Sequence, residues 1–212
     1  MTADSPVGYW RLNEASGTSA ADLSGNSNTG TYTNGVAQGV TGALTSESDA
    51  AAQSDGVNDF VRMPDSASLS PTTAVSVEAW VNLTSYAGSY PRILSKPGSY
   101  ELTLYTMVGA EGRLEWKVSL AGGDVAVATL AADKLLLGQW YHVAATYDGA
   151  NLRVYINGVQ KAVKSASGAV KDGTSAFTVS RADRAVAAKL DEVAVYGTAL
   201  PAARVQAHYA AR

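Results

Sequence analysis

The stretch Gly138-Gln139-Trp140-Tyr141-His142-Val143-Ala144-Ala145-Thr146-Tyr147-Asp148-Gly149, continued by Leu152-Arg153-Val154-Tyr155-Ile156-Asn157-Gly158, decides the fold. Tyr141, Val143, Ala145 and Tyr147 alternate with His142, Ala144 and Thr146, the period of a β-strand. Asp148-Gly149 breaks the pattern with a turn, because glycine takes positive φ at no steric cost. Leu152 to Ile156 alternates again and ends at Asn157-Gly158, a second tight turn. Two hairpin turns nine residues apart describe an antiparallel meander.

The same reading extends in both directions. Val75, Val77, Ala79 and Val81 share one face of a strand over 74–82, with Ser76, Glu78, Trp80 and Asn82 on the other. Further strands are expected over 7–13, 31–33, 59–63, 92–95, 100–105, 113–120, 125–130, 160–164, 176–181 and 189–196. Residues 35–56 are small, polar and glycine-rich, and read as mostly irregular with short strands. Pro201 opens a short helix to Tyr209, with Val205 and Tyr209 four apart. About a dozen short strands with regular turns make an all-β, two-sheet antiparallel sandwich of one domain over 1–212.

Composition narrows the function. Tyrosine outnumbers phenylalanine 11 to 2 and glycine reaches 20, which suits a turn-rich β protein. The net charge of −3, without basic runs, argues against a nucleic acid or an anionic membrane as partner. No apolar run approaches the ~18 residues that a membrane helix needs. Cysteine is absent, so disulfides play no part. Met1 to Pro6 lacks the basic and apolar segments of a signal peptide, and the chain reads as a piece of a longer secreted protein.

Five segments resemble, in order, the laminin G-like (concanavalin A-like jelly-roll) family. They are Tyr9-Trp10-Arg11-Leu12-Asn13-Glu14-Ala15-Ser16-Gly17, Asp22-Leu23-Ser24-Gly25-Asn26-Ser27-Asn28-Thr29-Gly30, Val75-Ser76-Val77-Glu78-Ala79-Trp80-Val81, the Trp140–Gly158 hairpin, and Leu190-Asp191-Glu192-Val193-Ala194-Val195-Tyr196. The resemblance implies a jelly-roll sandwich and a bacterial secreted or cell-surface protein. It also implies a structural calcium between the early loop and the last strand. The sequence departs from the family at Ala51-Ala52-Gln53-Ser54, before Asp55-Gly56, where a large residue is usual. A frayed or differently paired sheet edge is expected there.

Calcium takes six to eight hard oxygen ligands. Asp22, Asn26 and Asn28 offer side-chain oxygens in one loop, and the family's Asp191 is the natural partner. The alternative for this loop is a solvated Asx turn. Glu14 reads as a turn acceptor, His142 as a structural hydrogen-bonding group, and His208 as lying near the surface. No strand of alternating acids, strained nucleophile, phosphate loop or zinc spacing appears, so no catalytic residue is assigned.

Sugars offer C–H faces to aromatic rings and hydroxyls to planar polar groups. The candidates for such contacts are Tyr86, Tyr90, Arg92, Lys96, Tyr100, Trp116, Arg181, Asp183 and Arg184. For Trp116, core packing is an equal alternative. The expected function is therefore a non-catalytic carbohydrate-binding module. A protein-interaction or spacer role stands second, and a glycoside hydrolase or lyase third.

Overall fold

The computed structural model describes residues 1–45 and 49–212. The strands, in chain order, are β1 (Gly8–Trp10), β2 (Ser19–Ala20), β3 (Gly30–Thr33), β4 (Ala37–Thr41), β5 (Ala50–Asp55), β6 (Phe60–Met63), β7 (Val75–Leu83) and β8 (Arg92–Lys96). They continue as β9 (Tyr100–Leu104), β10 (Leu114–Leu120), β11 (Gly123–Ala128), β12 (Trp140–Tyr147), β13 (Asn151–Ile156), β14 (Val159–Ser165), β15 (Phe177–Val179) and β16 (Ala187–Tyr196). The helix α1 spans Ala202–Ala210.

Two antiparallel sheets form a jelly-roll sandwich. The first runs β14-β13-β12-β7-β16-β5-β4, with β1 added along β16. The second runs β11-β10-β9-β8-β15-β6-β3-β2. The opening meander is therefore one edge of the first sheet, and its turns are as read: Asn157 and Gly158 both have positive φ, at 51° and 76°. The stretch expected to be irregular, 35–56, holds β4 and β5; its residues 46–48 lie outside those described. The edge expected at Ala51 to Ser54 is instead interior. β5 pairs with β16 on one side and β4 on the other, and small side chains suffice because both neighbours cover it.

Alternation fixes what each face buries. Val75, Val77, Ala79 and Val81 of β7 meet Tyr100, Leu102, Trp116 and Val118 of the second sheet in the core between them. Trp10 stacks on Phe177 with ring centroids 5.6 Å apart.

The outward face of the first sheet is covered as well. Val205 and Leu200 pack there with Tyr9, Ala144, Tyr155, Ala194 and Tyr196. All nine residues of β7 are consequently buried, polar ones included. Buried polar groups need partners. Ser76 donates to the Thr198 carbonyl at 2.7 Å and accepts from the Leu200 amide at 2.8 Å.

Glu78 accepts from His142 Nε2 at 3.1 Å, from His208 Nδ1 at 2.9 Å and from the Tyr196 phenol. His142 thus has its expected structural role. His208 does not lie near the surface: its Nε2 faces Asp4 at 2.8 Å, and Asp4 also pairs with Arg204. A carboxylate against each ring nitrogen favours the form of His208 in which both nitrogens donate, the imidazolium. Its Glu78 hydrogen bond outweighs burial and raises its pKa above 6.5. Burial alone would raise the pKa of Glu78, but the two histidines bring it down to about 2.

Candidate functional site

The outward face of the second sheet is a polar tray. Register aligns Thr31, Arg62, Thr178, Ser95, Glu101 and Lys117 in one row across β3, β6, β15, β8, β9 and β10. Arg92, Thr103 and Glu115 form a parallel row beside it. Glu101 is the hub. Its Oε1 accepts from Arg92 Nε at 3.0 Å, Ser95 Oγ at 2.8 Å and Arg181 Nη1 at 3.1 Å. Its Oε2 lies 2.7 Å from Lys117 Nζ. Burial alone would raise the pKa of this carboxyl, but Lys117, Arg92 and Ser95 lower it to about 2.

Arg92 joins the tray to a rim of loops. Its Nη1 donates to the Tyr90 carbonyl at 2.9 Å and to Thr103 Oγ1 at 3.1 Å. Its amide donates to the Arg184 carbonyl at 2.8 Å, which seats the 181–184 turn beside β8. Arg181 pairs with Asp183 at 2.6 Å while holding Glu101. The Tyr90 ring meets Tyr105 edge-on at 5.2 Å, and the Arg113 guanidinium lies 5.2 Å from the centre of the Tyr105 ring. Tyr90 is half-buried, and Met107 and Val108 beside it are exposed.

The structure thus gathers Tyr90, Arg181, Asp183 and Arg184 around Arg92 and Glu101. It removes three other candidates from any ligand-binding surface. Tyr100 and Trp116 point into the core, at 1% and 0% exposure, and the Tyr100 hydroxyl donates to the Leu69 carbonyl. Lys96 is also fully buried and is spent on Asp65 and the Ser175 carbonyl. Tyr86 donates its hydroxyl to the Leu135 carbonyl at 2.7 Å and braces the rim loops.

The expected calcium ligands fall into two places. Asp22 accepts from the amides of Tyr9, Ser24 and Asn28 and from Ser24 Oγ. Asn28 Oδ1 accepts from Ser66 Oγ at 2.6 Å, and Asn26 donates to the Val7 carbonyl at 3.2 Å. This loop is closed on itself by Asx turns. Glu14 is a turn acceptor, taking the Ala21 amide at 2.8 Å and the Tyr32 hydroxyl at 2.6 Å.

Asp191 instead groups with Asp49 and Glu192, carboxylate oxygens lying within 4.8 Å of one another. A β-bulge in β16 explains how two successive residues reach one place. Between Asp191 and Ala194 the register slips by one, and Glu192 takes φ 50°. Tyr9 spans the two sites, its amide on Asp22 and its phenol on Glu192. Arg11 bonds Glu192 at 2.7 Å and Asp49 at 3.1 Å.

The fit to a cation can be tested on this group. Asp191 is fully buried; its Oδ2 accepts the Ala43 amide at 2.8 Å, and its Oδ1 has no hydrogen-bond partner. Burial and the adjoining Asp49 carboxyl hold its pKa well above the usual range. A Cβ on Gly42 would strike Asp49 Oδ2 and lie 2.9 Å from Asp191 Oδ2, so the backbone closes tightly over both acids. Facing carboxylates with an orphaned oxygen fit a hard cation.

No helix among the described residues is long and apolar enough to cross a membrane. A search of curated protein sequences finds no match. Among solved structures, the binding domain of Paraclostridial Mosquitocidal Protein 1 is similar over 99% of this chain and 52% of its own, with 16% identity and a TM-score of 0.76. The botulinum neurotoxin serotype D ligand-binding domain, in complex with N-acetylneuraminic acid, gives 99%, 51%, 14% and 0.69 in the same order. The chain thus spans about half the length of these toxin domains. Domain 4 of AbnA, an extracellular arabinanase from Geobacillus stearothermophilus solved with arabinotriose, is matched over 95% of this chain and 97% of its own. The identity there is 21% and the TM-score 0.73. These likenesses share the sandwich. The family model for the concanavalin A-like lectin/glucanases superfamily matches residues 55–206, most of the chain, and the chain belongs to that superfamily.

Proposed function

We propose that this chain is a non-catalytic carbohydrate-binding module, docking glycans on the rim and tray of the second sheet. The observation that carries this reading is the continuity through Arg92. The Tyr90–Tyr105 ring pair is joined through Arg92 to the charged groups around Glu101. Ser95, Glu101 and Thr103 are themselves buried, and the partly exposed Arg92, Lys117 and Arg181 that they orient are the polar groups open to a ligand. Rings accept the C–H face of a sugar, and oriented polar groups accept its hydroxyls. Glycan-binding neighbours of the same fold support the class of ligand. Glu101 is unsuited to proton transfer near neutrality, because a general acid or base works best with a pKa near the working pH.

The domain is further read as part of a secreted or surface-exposed bacterial protein, holding attached domains near polysaccharide. Calcium is its structural ion, held by Asp49, Asp191 and Glu192. When bound it neutralises the facing carboxylates and braces β16 against the segment around Gly42.

A screen of the protein on a glycan array, with and without calcium, tests the main reading. Binding to a coherent saccharide class that Tyr90→Ala abolishes is the expected result; a blank from folded, calcium-loaded protein overturns it. For calcium, EDTA should lower the melting temperature and added calcium restore it, since a ligand of the folded state stabilises by mass action. In Asp191→Asn that response should vanish, and a variant that responds like the parent refutes the ligand set. A protein-docking role is the second reading, favoured by the exposed Met107, Val108, Leu130, Leu136 and Leu137.

A further inference from the structure

We infer that a second saccharide site lies at the seam where β14 meets the turn before β12, and that it takes a sugar acid. The inference rests on the carbohydrate-binding reading for its class of ligand; the residues are different. A cavity of about 270 Å³ opens there, lined by Asp133, Lys134, Tyr141, Asn157 and Lys161 among others. It lies just under the range of drug-sized pockets, from roughly 300 Å³ upward, and suits one sugar unit.

The local sequence builds the donors. Asn157-Gly158 turns β13 into β14, and Gly158 is packed so closely on α1 that an added Cβ would lie 3.0 Å from Gln206 Cα. The turn is thereby held rigid. The Asn157 amide is oriented as well, because its Oδ1 accepts the His142 amide at 3.0 Å. That assignment leaves Nδ2 as an unspent donor on a residue that lines the cavity. Tyr141 has its hydroxyl engaged by Gln139 and the Leu136 amide, so what it offers is its ring.

Charge selects the acid. Lys161 Nζ lies 2.9 Å from Asp133 Oδ1, which places two hydrogen-bonding groups at a fixed spacing and leaves Lys161 further N–H donors. Lys134 is exposed on the same wall. Two lysines against one aspartate give this cavity a net positive charge in a chain whose net charge is −3. A uronate presents its carboxylate to Lys134 and Lys161, hydroxyls to Asn157 Nδ2 and Asp133, and a C–H face to Tyr141. A neutral hexose lacks the group that the lysines select.

The test is a titration of the ¹⁵N-labelled chain with methyl β-glucuronide and, separately, methyl β-glucoside. The glucuronide should move amide signals at 133–134 and 157–161. The double variant Lys134→Gln/Lys161→Gln should weaken that binding by about tenfold or more, the weight of a lost charge-assisted hydrogen bond. Both lysines reach solvent, so the fold is not at risk. Seam signals that stay still with glucuronide, or move equally with glucoside, overturn the proposal. Signals of Tyr90 and Arg92 are read in the same spectra. Movement at the seam without movement there supports this site independently of the rim, whose own test is the glycan array; movement at the rim alone defeats this site.

Discussion

Trp116 shows what one side chain's surroundings decide. Tyr100, Leu102 and Leu104 alternate with Glu101 and Thr103, and Leu114, Trp116 and Val118 with Glu115 and Lys117. That rings and charges take opposite faces was legible in the sequence. Which face meets the other sheet was not, because a tryptophan suits a core and a sugar equally well. The pairing of β9 with β10 settles it, putting Trp116 beside Leu102 and Glu101 beside Lys117. Trp116→Ala should therefore cost about 3–5 kcal/mol in denaturant unfolding, as for other large core truncations. Tyr90→Ala, at the rim, should stay within about 0.5 kcal/mol of the parent while glycan binding is lost. A large unfolding loss for Tyr90→Ala would make it a packing residue.

At the scale of elements, α1 is tied down by partners remote in the chain. His208 lies 130 residues from Glu78 and 204 from Asp4, so nothing in its own segment announces its burial. The helix itself was legible from Pro201, Val205 and Tyr209, but its buried residues are Val205 and His208, and Tyr209 is half-buried against Trp80. The latch sets a pH window. The His208 pKa is raised in the folded chain, so its stabilisation is complete below 6.5 and fades as pH rises through the raised value. The Glu78 pKa is lowered, so its share is complete above 4.5 and fades as pH falls toward about 2. The latch is thus tightest between 4.5 and 6.5. Urea midpoints followed upward from that window should decline in the parent, and decline less in His208→Gln. Parallel curves for the two proteins would show that His208 contributes no pH dependence.

Glu101 acts at the same scale, tying β8, β9, β10 and the 181–184 turn through three cations. Glu101→Gln leaves those cations without their shared anion, with a cost of about 3 kcal/mol, the lower end for a broken buried pair. Equilibrium unfolding reads that loss, and an unchanged midpoint would mean that solvent already screens the hub.

For the whole molecule, the sandwich was legible because turns and alternation are local signals. Asn157-Gly158 and the Val75–Val81 stripe need no distant partner to be recognised. The acid group was legible only in part. Asp191 stood out by its motif, whereas Asp49 joins it through folding, and the Glu192 bulge leaves no mark in the sequence. The longer row of the tray is likewise assembled from six strands that contribute one residue each, from Thr31 to Thr178, so most of its members lie far apart along the chain.

The pairing of Asp4 with Arg204 has a practical consequence. Both chain ends emerge at one patch, on the outward face of the first sheet, while the Glu101 row looks away from it. A reporter or immobilisation tag fused at either end would stand behind the protein. A bead coated through such a tag would display the tray to the surrounding solution, with no rotation of the molecule required.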